Sequence, residues 1–461
     1  MDRRDFLKKC ALGTGTLMLG RQALYAGKET PGSRKKLNVL FVLVDQWRYS
    51  AMNRNENHDS TVQTPNLNDF AEKSFEWTRC YAAHPLCTPN RATIITGRWP
   101  WQTGMNHNNL MLPPSEKCIA HQFNDNGYRC HYIGKWHMDG ADRPGFVPKG
   151  WRRRGFTTFE GFNRGHRYLD SKTFTDNGTL MKSCQGKYEP TIQTDLAIEF
   201  MKENKNTPFF CFISWGPPHT PYKEHPKQYS YRPSEIELRP NVPANSKLAA
   251  GKSLAQYYAQ CTALDYEFGR LIQTLDNLDI RDNTLVVFTA DHGDMHHSHN
   301  LMFKQHPQEE SWHVPLLMGF PSKFKAGRKI SNLVSSADIM PTVLSLCGIT
   351  PPDTCTGKDK SAALSSSGIP DESVYGGVSD KWRAIVKGEY KLVVENKETA
   401  KNVPTMLYNL KKDPYELNNL IDNPADAAVK KDLLTELDSW KKKTSDSFPA
   451  APKNARGMYK V

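Results

Sequence analysis

Apolar runs along this chain stop abruptly at charged or amide side chains. Residues 37–44 (Leu-Asn-Val-Leu-Phe-Val-Leu-Val) are almost continuously apolar and β-rich, the pattern of a strand buried on both faces of a parallel sheet. The run ends in Asp45-Gln46. The same format recurs at 128–133, leading into Gly134-Lys135-Trp136-His137, and at 208–215, leading into Gly216-Pro217-Pro218-His219. It recurs again at 283–290, leading into Asp291-His292-Gly293-Asp294. Open α/β sheets bind ligands beyond the carboxyl ends of their strands. One rim is therefore expected to collect Asp45, Gln46, Lys135, His137, His219, Asp291 and His292.

Helical patterns lie between these runs. Residues 193–205 place Leu196, Ala197, Phe200 and Met201 on one face, and 253–278 do the same with Leu254, Tyr258, Cys261, Leu264, Phe268, Leu271, Ile272 and Leu275. Both stripes read as core-facing. A further helix is expected over 338–346, with Asp338 near its start and Gly348 at its end. Toward the C-terminus the period changes: 383–394 alternate around Lys387-Gly388 like a hairpin. The helix after Pro424, through Trp440, is expected to pack back on that small sheet. The pattern predicts an α/β fold with a large, mostly parallel sheet over 37–370, and a smaller C-terminal α+β subdomain with an antiparallel sheet over 371–461.

At 461 residues the chain is long enough for one large α/β domain with an appendage, or for two domains. No apolar run approaches the roughly 18 residues of a membrane span. Arg3-Arg4 precede Phe6-Leu7-Lys8, a weakly apolar stretch at 10–20 and the small residue Ala26. This reads as a twin-arginine export signal over 1–26, handled by the twin-arginine machinery and leaving a periplasmic or secreted bacterial protein. The net charge is +12; residues 1–26 hold five basic and two acidic side chains, so +9 remains without them. That bias suits a polyanionic partner. Spread-out Lys and Arg and the lack of any nucleic-acid-binding signature argue against nucleic acid. Ten cysteines at irregular spacing, with no Cys-x-x-Cys, leave their pairing open.

The densest chemistry lies in residues 84–98, His-Pro-Leu-Cys-Thr-Pro-Asn-Arg-Ala-Thr-Ile-Ile-Thr-Gly-Arg. Pro89 favours the first turn of a helix, which puts Cys87 at a helix N-terminus where free N–H groups and the dipole favour an oxyanion. Arg91 adds a positive charge one turn on. Cys87-Thr88-Pro89-Asn90-Arg91 with Thr96-Gly97 resembles the signature of the formylglycine-dependent (type I) sulfatases of the alkaline-phosphatase superfamily. Gly134-Lys135-Trp136-His137, His219 in Pro218-His219-Thr220-Pro221, Asp291-His292-Gly293-Asp294 with His299 and Lys304, and the closing segment 407–417 resemble that family too. The resemblance spans about 37–420.

It implies hydrolysis of sulfate esters in an alkaline-phosphatase-like fold, with Cys87 oxidised to formylglycine (3-oxoalanine) by a maturation enzyme. Its hydrate would attack sulfur, activated by a divalent cation and by Asp291. Asp45, Gln46, Asp291, His292 and residue 87 would hold that cation, calcium first, with magnesium or manganese as alternatives. Arg91, Lys135, His219 and Lys304 would spread the charge; His219 or Lys304 would protonate the leaving alcohol, and His137 would take the second hydroxyl proton. Gln46 departs from the commoner aspartate and matches the related phosphonate monoester hydrolases and phosphodiesterases, which remain an alternative. A polyanion-binding protein on an inactive scaffold is another. Export and basic charge suggest a sulfated carbohydrate or polysaccharide fragment as substrate, contacted by Arg152, Arg164, His166 and His299.

Overall fold

The computed structural model describes residues 36–54, 57–181, 186–319, 327–365, 372–397 and 402–448. The export reading over 1–26 lies outside them. Residues Leu37–Val461 form one compact unit. Its centre is the strand β1 (Asn38–Asp45), every residue of which is buried. Around it runs a nine-stranded sheet in the order β4-β3-β5-β1-β6-β7-β2-β8, with β9 also pairing with β2. The other strands are β2 (Phe75–Tyr81), β3 (Arg129–Lys135), β4 (Thr158–Phe162), β5 (Phe209–Pro218), β6 (Thr284–Ala290), β7 (His313–Gly319), β8 (Arg328–Ile330) and β9 (Val334–Ser335). Ladders β4/β3, β3/β5, β5/β1 and β1/β6 are parallel, and β7 is antiparallel to both β6 and β2.

Direction follows from these pairings. β1, β3, β4, β5 and β6 run the same way, and two antiparallel steps through β7 bring β2 into that direction as well. Their carboxyl ends therefore share one rim. Between β3 and β5 the backbones approach so closely that a Cβ on Gly134, at φ 97°, would lie 2.3 Å from the Ser214 carbonyl oxygen. Only glycine fits there.

Helices α1 (Cys87–Thr96), α2 (Glu189–Asn204), α3 (Lys247–Asn277) and α4 (Ile339–Leu346) accompany the sheet. α2 and α3 pack on each other and on β5, whereas α1 packs on α4. The expected stripes are core: Leu254, Tyr258, Cys261, Leu264, Phe268, Leu271 and Leu275 of α3 are all buried. A second, four-stranded antiparallel sheet, β10 (Val374–Val378), β11 (Trp382–Lys387), β12 (Tyr390–Glu395) and β13 (Val403–Asn409), follows in sequence order. The expected hairpin is β11–β12. Helix α5 (Ala427–Lys443) returns to it, burying Leu433, Leu437 and Trp440 with Ile385, Leu392 and Leu407. Cys80, Cys87, Cys118, Cys130, Cys211, Cys261, Cys347 and Cys355 are free thiols, and no disulfide occurs among the described residues.

Candidate active site

β2 climbs to the shared rim and hands the chain, through residues 82–86, to α1, whose first residue is Cys87. Gly97 closes the other end of α1 at φ 65°, its N–H donating to the Thr93 carbonyl. The helix is pinned from both sides of the rim. Thr88 Oγ1 donates to the His137 carbonyl at 2.7 Å, and Asn90 Nδ2 donates to the Asp291 carbonyl at 2.6 Å. Strand ends that lie far apart in sequence thus meet at one thiol.

Cys87 Sγ lies 3.2 Å from His292 Nε2 and 3.7 Å from Asp45 Oδ1. Together with Asp291, their donor atoms all fall within 4.8 Å of one another, and all four residues are buried. His292 Nδ1 is 3.0 Å from the Gly293 carbonyl. A carbonyl only accepts, so Nδ1 carries the proton and the Nε2 lone pair faces the cluster. The carboxylates are oriented just as tightly. Arg91 Nε donates to Asp291 Oδ2 at 2.9 Å and Arg91 Nη2 to Asp45 Oδ2 at 3.2 Å. Lys135 Nζ also donates to Asp45 Oδ2. With each Oδ2 occupied, the Oδ1 atoms stand 3.5 and 3.6 Å from His292 Nε2. Two carboxylate oxygens and an imidazole nitrogen around one point fit a divalent cation.

Charge is balanced here by geometry. Burial opposes ionisation of Asp45, but Lys135 and Arg91 outweigh it and hold the carboxyl well below the usual range. Burial and Asp45 push the Cys87 thiol up, yet the Lys304 and Lys135 ammonium groups pull it the other way, and it ends below its ordinary value. Arg91 also donates to the Lys135 carbonyl at 2.9 Å and Ser214 Oγ at 2.6 Å. It is a brace between the two aspartates, with four of its five N–H donors engaged in these bonds.

Facing the cluster are Lys304, His219 and His137. Lys304 Nζ donates to Gln46 Oε1 at 2.8 Å and lies 2.5 Å from His219 Nε2. His219 Nδ1 is 2.7 Å from the Thr220 carbonyl, so Nδ1 holds the proton and Nε2 accepts from Lys304. Burial and then Lys304 drive His219 far below its ordinary value, leaving it neutral. His137 Nε2 is 3.2 Å from Asn109 Oδ1, an atom that also takes a hydrogen bond from Arg164 Nη1. Nδ1 of His137 is buried without a partner. Burial, Lys135 and Arg91 hold that ring neutral as well, so Nδ1 is a free base. Non-glycine residues adopt left-handed backbone here, Gln46 at φ 70°, His137 at 59° and Phe303 at 65°. Such conformations cost roughly 1–3 kcal/mol each and concentrate at functional sites.

The structure brings Asp45, Cys87, Arg91, Lys135, Asp291, His292, His219 and Lys304 into one bonded network and sets His137 beside it. The other expected residues hold other partners. Gln46 is at the site, but its Oε1 is taken by Lys304 and its Nε2 donates to Tyr222 Oη at 3.2 Å and to Asp294. It joins Lys304 to the Asp294 network, and its backbone N–H donates to Asp291 Oδ1 at 3.0 Å. His299 points elsewhere: its ring lies 3.2 Å from Asn241 Nδ2 and clusters with Glu310 and Glu416. Residues 299 and 300 are both left-handed there, at φ 53° and 61°. Arg152 is paired with Asp139 at 2.6 Å. Arg164 and His166 do border the site, His166 stacking on His219 with centroids 4.2 Å apart.

Sequence reasoning passed over Ser214 and Asn109. Ser214 is a polar residue inside an otherwise apolar run, which is a readable sign of a buried partner; Asn109 sits in a loop with nothing to mark it.

Comparison with known proteins agrees with this geometry. Residues 37–349 match a family model described as Sulfatase, and 297–443 match one described as N-sulphoglucosamine sulphohydrolase, C-terminal. An ulvan-active sulfatase of Formosa agariphila is 32% identical over 428 residues, covering 90% of this chain and 82% of that protein. An endo-4-O-sulfatase of Bacteroides thetaiotaomicron is 27% identical, covering 94% and 97%. A solved structure from the glycosaminoglycan metabolism of Bacteroides thetaiotaomicron superposes with a TM-score of 0.81 at 26% identity, covering 90% of this chain and 98% of its own. With the signature cysteine, the strand-end aspartates and the Lys304–His219 pair assembled on one rim, the chain belongs to the sulfatase family of sulfuric ester hydrolases.

Proposed function

We propose that the protein removes sulfate from a sulfated carbohydrate, with formylglycine made from Cys87 by a maturation enzyme as nucleophile. Calcium is the proposed cation, held by Asp45, Asp291, His292 and residue 87. The observation that carries the reading is the position of Cys87 Sγ, within one 4.8 Å cluster of carboxylate and imidazole donors. Sγ marks where the oxygens of the formylglycine hydrate would stand. When bound, the cation supplies positive charge that polarises the sulfate and lowers the pKa of a hydroxyl beside it. The basic balance of the chain and its likeness to an ulvan-active sulfatase and an N-acetylglucosamine-6-O-sulfatase support the substrate class. Arg3-Arg4 and the apolar stretch after them support export to the periplasm. A mature protein whose first peptide begins after Ala26 checks that step.

The side chains then divide the work. Arg91 and Lys135 fix the aspartates so that their Oδ1 atoms stay aimed at the cluster. Lys304 holds the proton that the neutral His219 cannot supply, and gives it to the alkoxide oxygen as the ester S–O bond breaks. His137 Nδ1 takes the proton of the second hydrate hydroxyl as the aldehyde C=O re-forms and sulfate departs. Preorganised donors of this kind supply several kcal/mol of the rate.

Turnover of 4-nitrophenyl sulfate tests the reading. It is expected to exceed turnover of the matching aryl phosphonate monoester, to vanish on chelation and to return with calcium. A preference for the phosphonate would move the assignment to the related phosphonate hydrolases.

A further inference from the structure

Beside the reaction centre lies a second cavity of about 250 Å³, and its walls are cationic. Arg143, Arg164, Arg167 and Lys172 line it. Two hydrogen bonds hold the first pair together: Arg164 N donates to the Pro144 carbonyl at 3.0 Å and Asn163 N to the Gly145 carbonyl at 2.8 Å. Like charges side by side repel, and burial together with Arg143 pushes the Arg164 guanidinium below its ordinary value. Acidic compensation is thin. Among the described residues Arg143 and Lys172 make no ion pair, and Arg167 meets Asp170 only at 3.8 Å on the surface. Glu189, in the wall, is raised by burial to about 7 and bonded to Ser171, so at neutral pH it is only partly ionised and leaves most of the four cationic charges unbalanced.

The cavity also shares its walls with the catalytic groups. His166 lines it and stacks on His219 at 4.2 Å. Arg164 lines it and meets His137 through the same Asn109 oxygen. The cavity therefore adjoins the catalytic groups on the side of His219 and His137.

Resting on the sulfatase reading above, we propose that this cavity is a subsite for a second anionic group of the substrate, a carboxylate or a further sulfate beside the one removed. Such a group would bring the counter-charge that Arg143, Arg164 and Lys172 lack, through charge-assisted hydrogen bonds. It would make the enzyme selective for polyanionic over singly charged sugars.

Competition against 4-nitrophenyl sulfate turnover tests this with two matched pairs of probes. One pair is a sulfated disaccharide with a uronic carboxylate and its carboxyl-reduced form; the other is a neutral disaccharide carrying two sulfates or one. The wild type is expected to prefer the doubly charged member of one pair or both by about tenfold, the worth of one such contact. The pair that shows it tells carboxylate from sulfate. In the Arg143→Ala/Lys172→Ala variant, on exposed residues, the preference should fall to within about twofold. Because the readout is a ratio within each protein, any general effect on stability or turnover cancels. Turnover by the wild type with no preference in either pair, or a preference that survives in the variant, overturns the subsite alone. No turnover of any sulfate ester overturns the sulfatase reading and the subsite with it.

Discussion

Cys87→Ser, produced without a serine-modifying maturase, is expected to fold as the parent does and to lose turnover of 4-nitrophenyl sulfate by about four orders of magnitude or more, the scale on which enzymes lose activity with their nucleophile. The fold should survive because, among the described residues, the polar contacts of Sγ are with His292 and Asp45. A serine hydroxyl makes the same contacts at least as well. Activity should not survive, because a serine sulfated on its hydroxyl lacks the second oxygen through which a hydrate collapses to aldehyde and frees sulfate. The check is kcat beside the melting temperature of both proteins. An active Cys87→Ser enzyme with an unmodified serine would contradict the mechanism.

The second large effect concerns stability. Asp45→Ala removes the carboxylate shared by Arg91 and Lys135, whose side chains are 1% and 0% exposed. Breaking a buried pair strands a charge and costs about 3–5 kcal/mol. Here two cations lose a partner at once, although Arg91 keeps Asp291. A marked fall in the unfolding midpoint in urea is expected, together with loss of turnover. Asp45→Asn retains an acceptor for both cations and should lose as much activity but less stability. Equal stability of Asp45→Ala and wild type would mean that the brace around Asp45 is relaxed in solution.

Much of this was legible before any coordinates. Strands β1, β3, β5 and β6 are buried on both faces and so appear as unbroken apolar runs, and each reads straight into its polar terminus. Edge and antiparallel strands are harder to see. β4 (Thr158–Phe162) mixes Glu160 and Gly161 into a short segment, and β2 carries Glu76, Thr78 and Arg79, so neither stands out from its loops. β4 matters because its end sends Arg164 and His166 to the rim.

Side-chain direction was less legible still. The family resemblance put His299 among the substrate contacts, but a sequence match says nothing about a backbone that turns left-handed at residues 296, 297, 299, 300 and 303. Arg91 likewise reads as a loose positive charge for a substrate. Its locking onto Asp45 and Asp291 depends on β1 and β6 being neighbours, a long-range fact that local sequence does not carry.

The central claim is that residue 87 becomes an aldehyde at the meeting point of these strand ends. Mass spectrometry of the peptide containing residue 87, taken from active protein, tests it most directly. The account predicts a mass in which the cysteine sulfur has been exchanged for a carbonyl oxygen, with reactivity toward a hydrazide probe. An unmodified thiol throughout a preparation that still hydrolyses sulfate esters would contradict it.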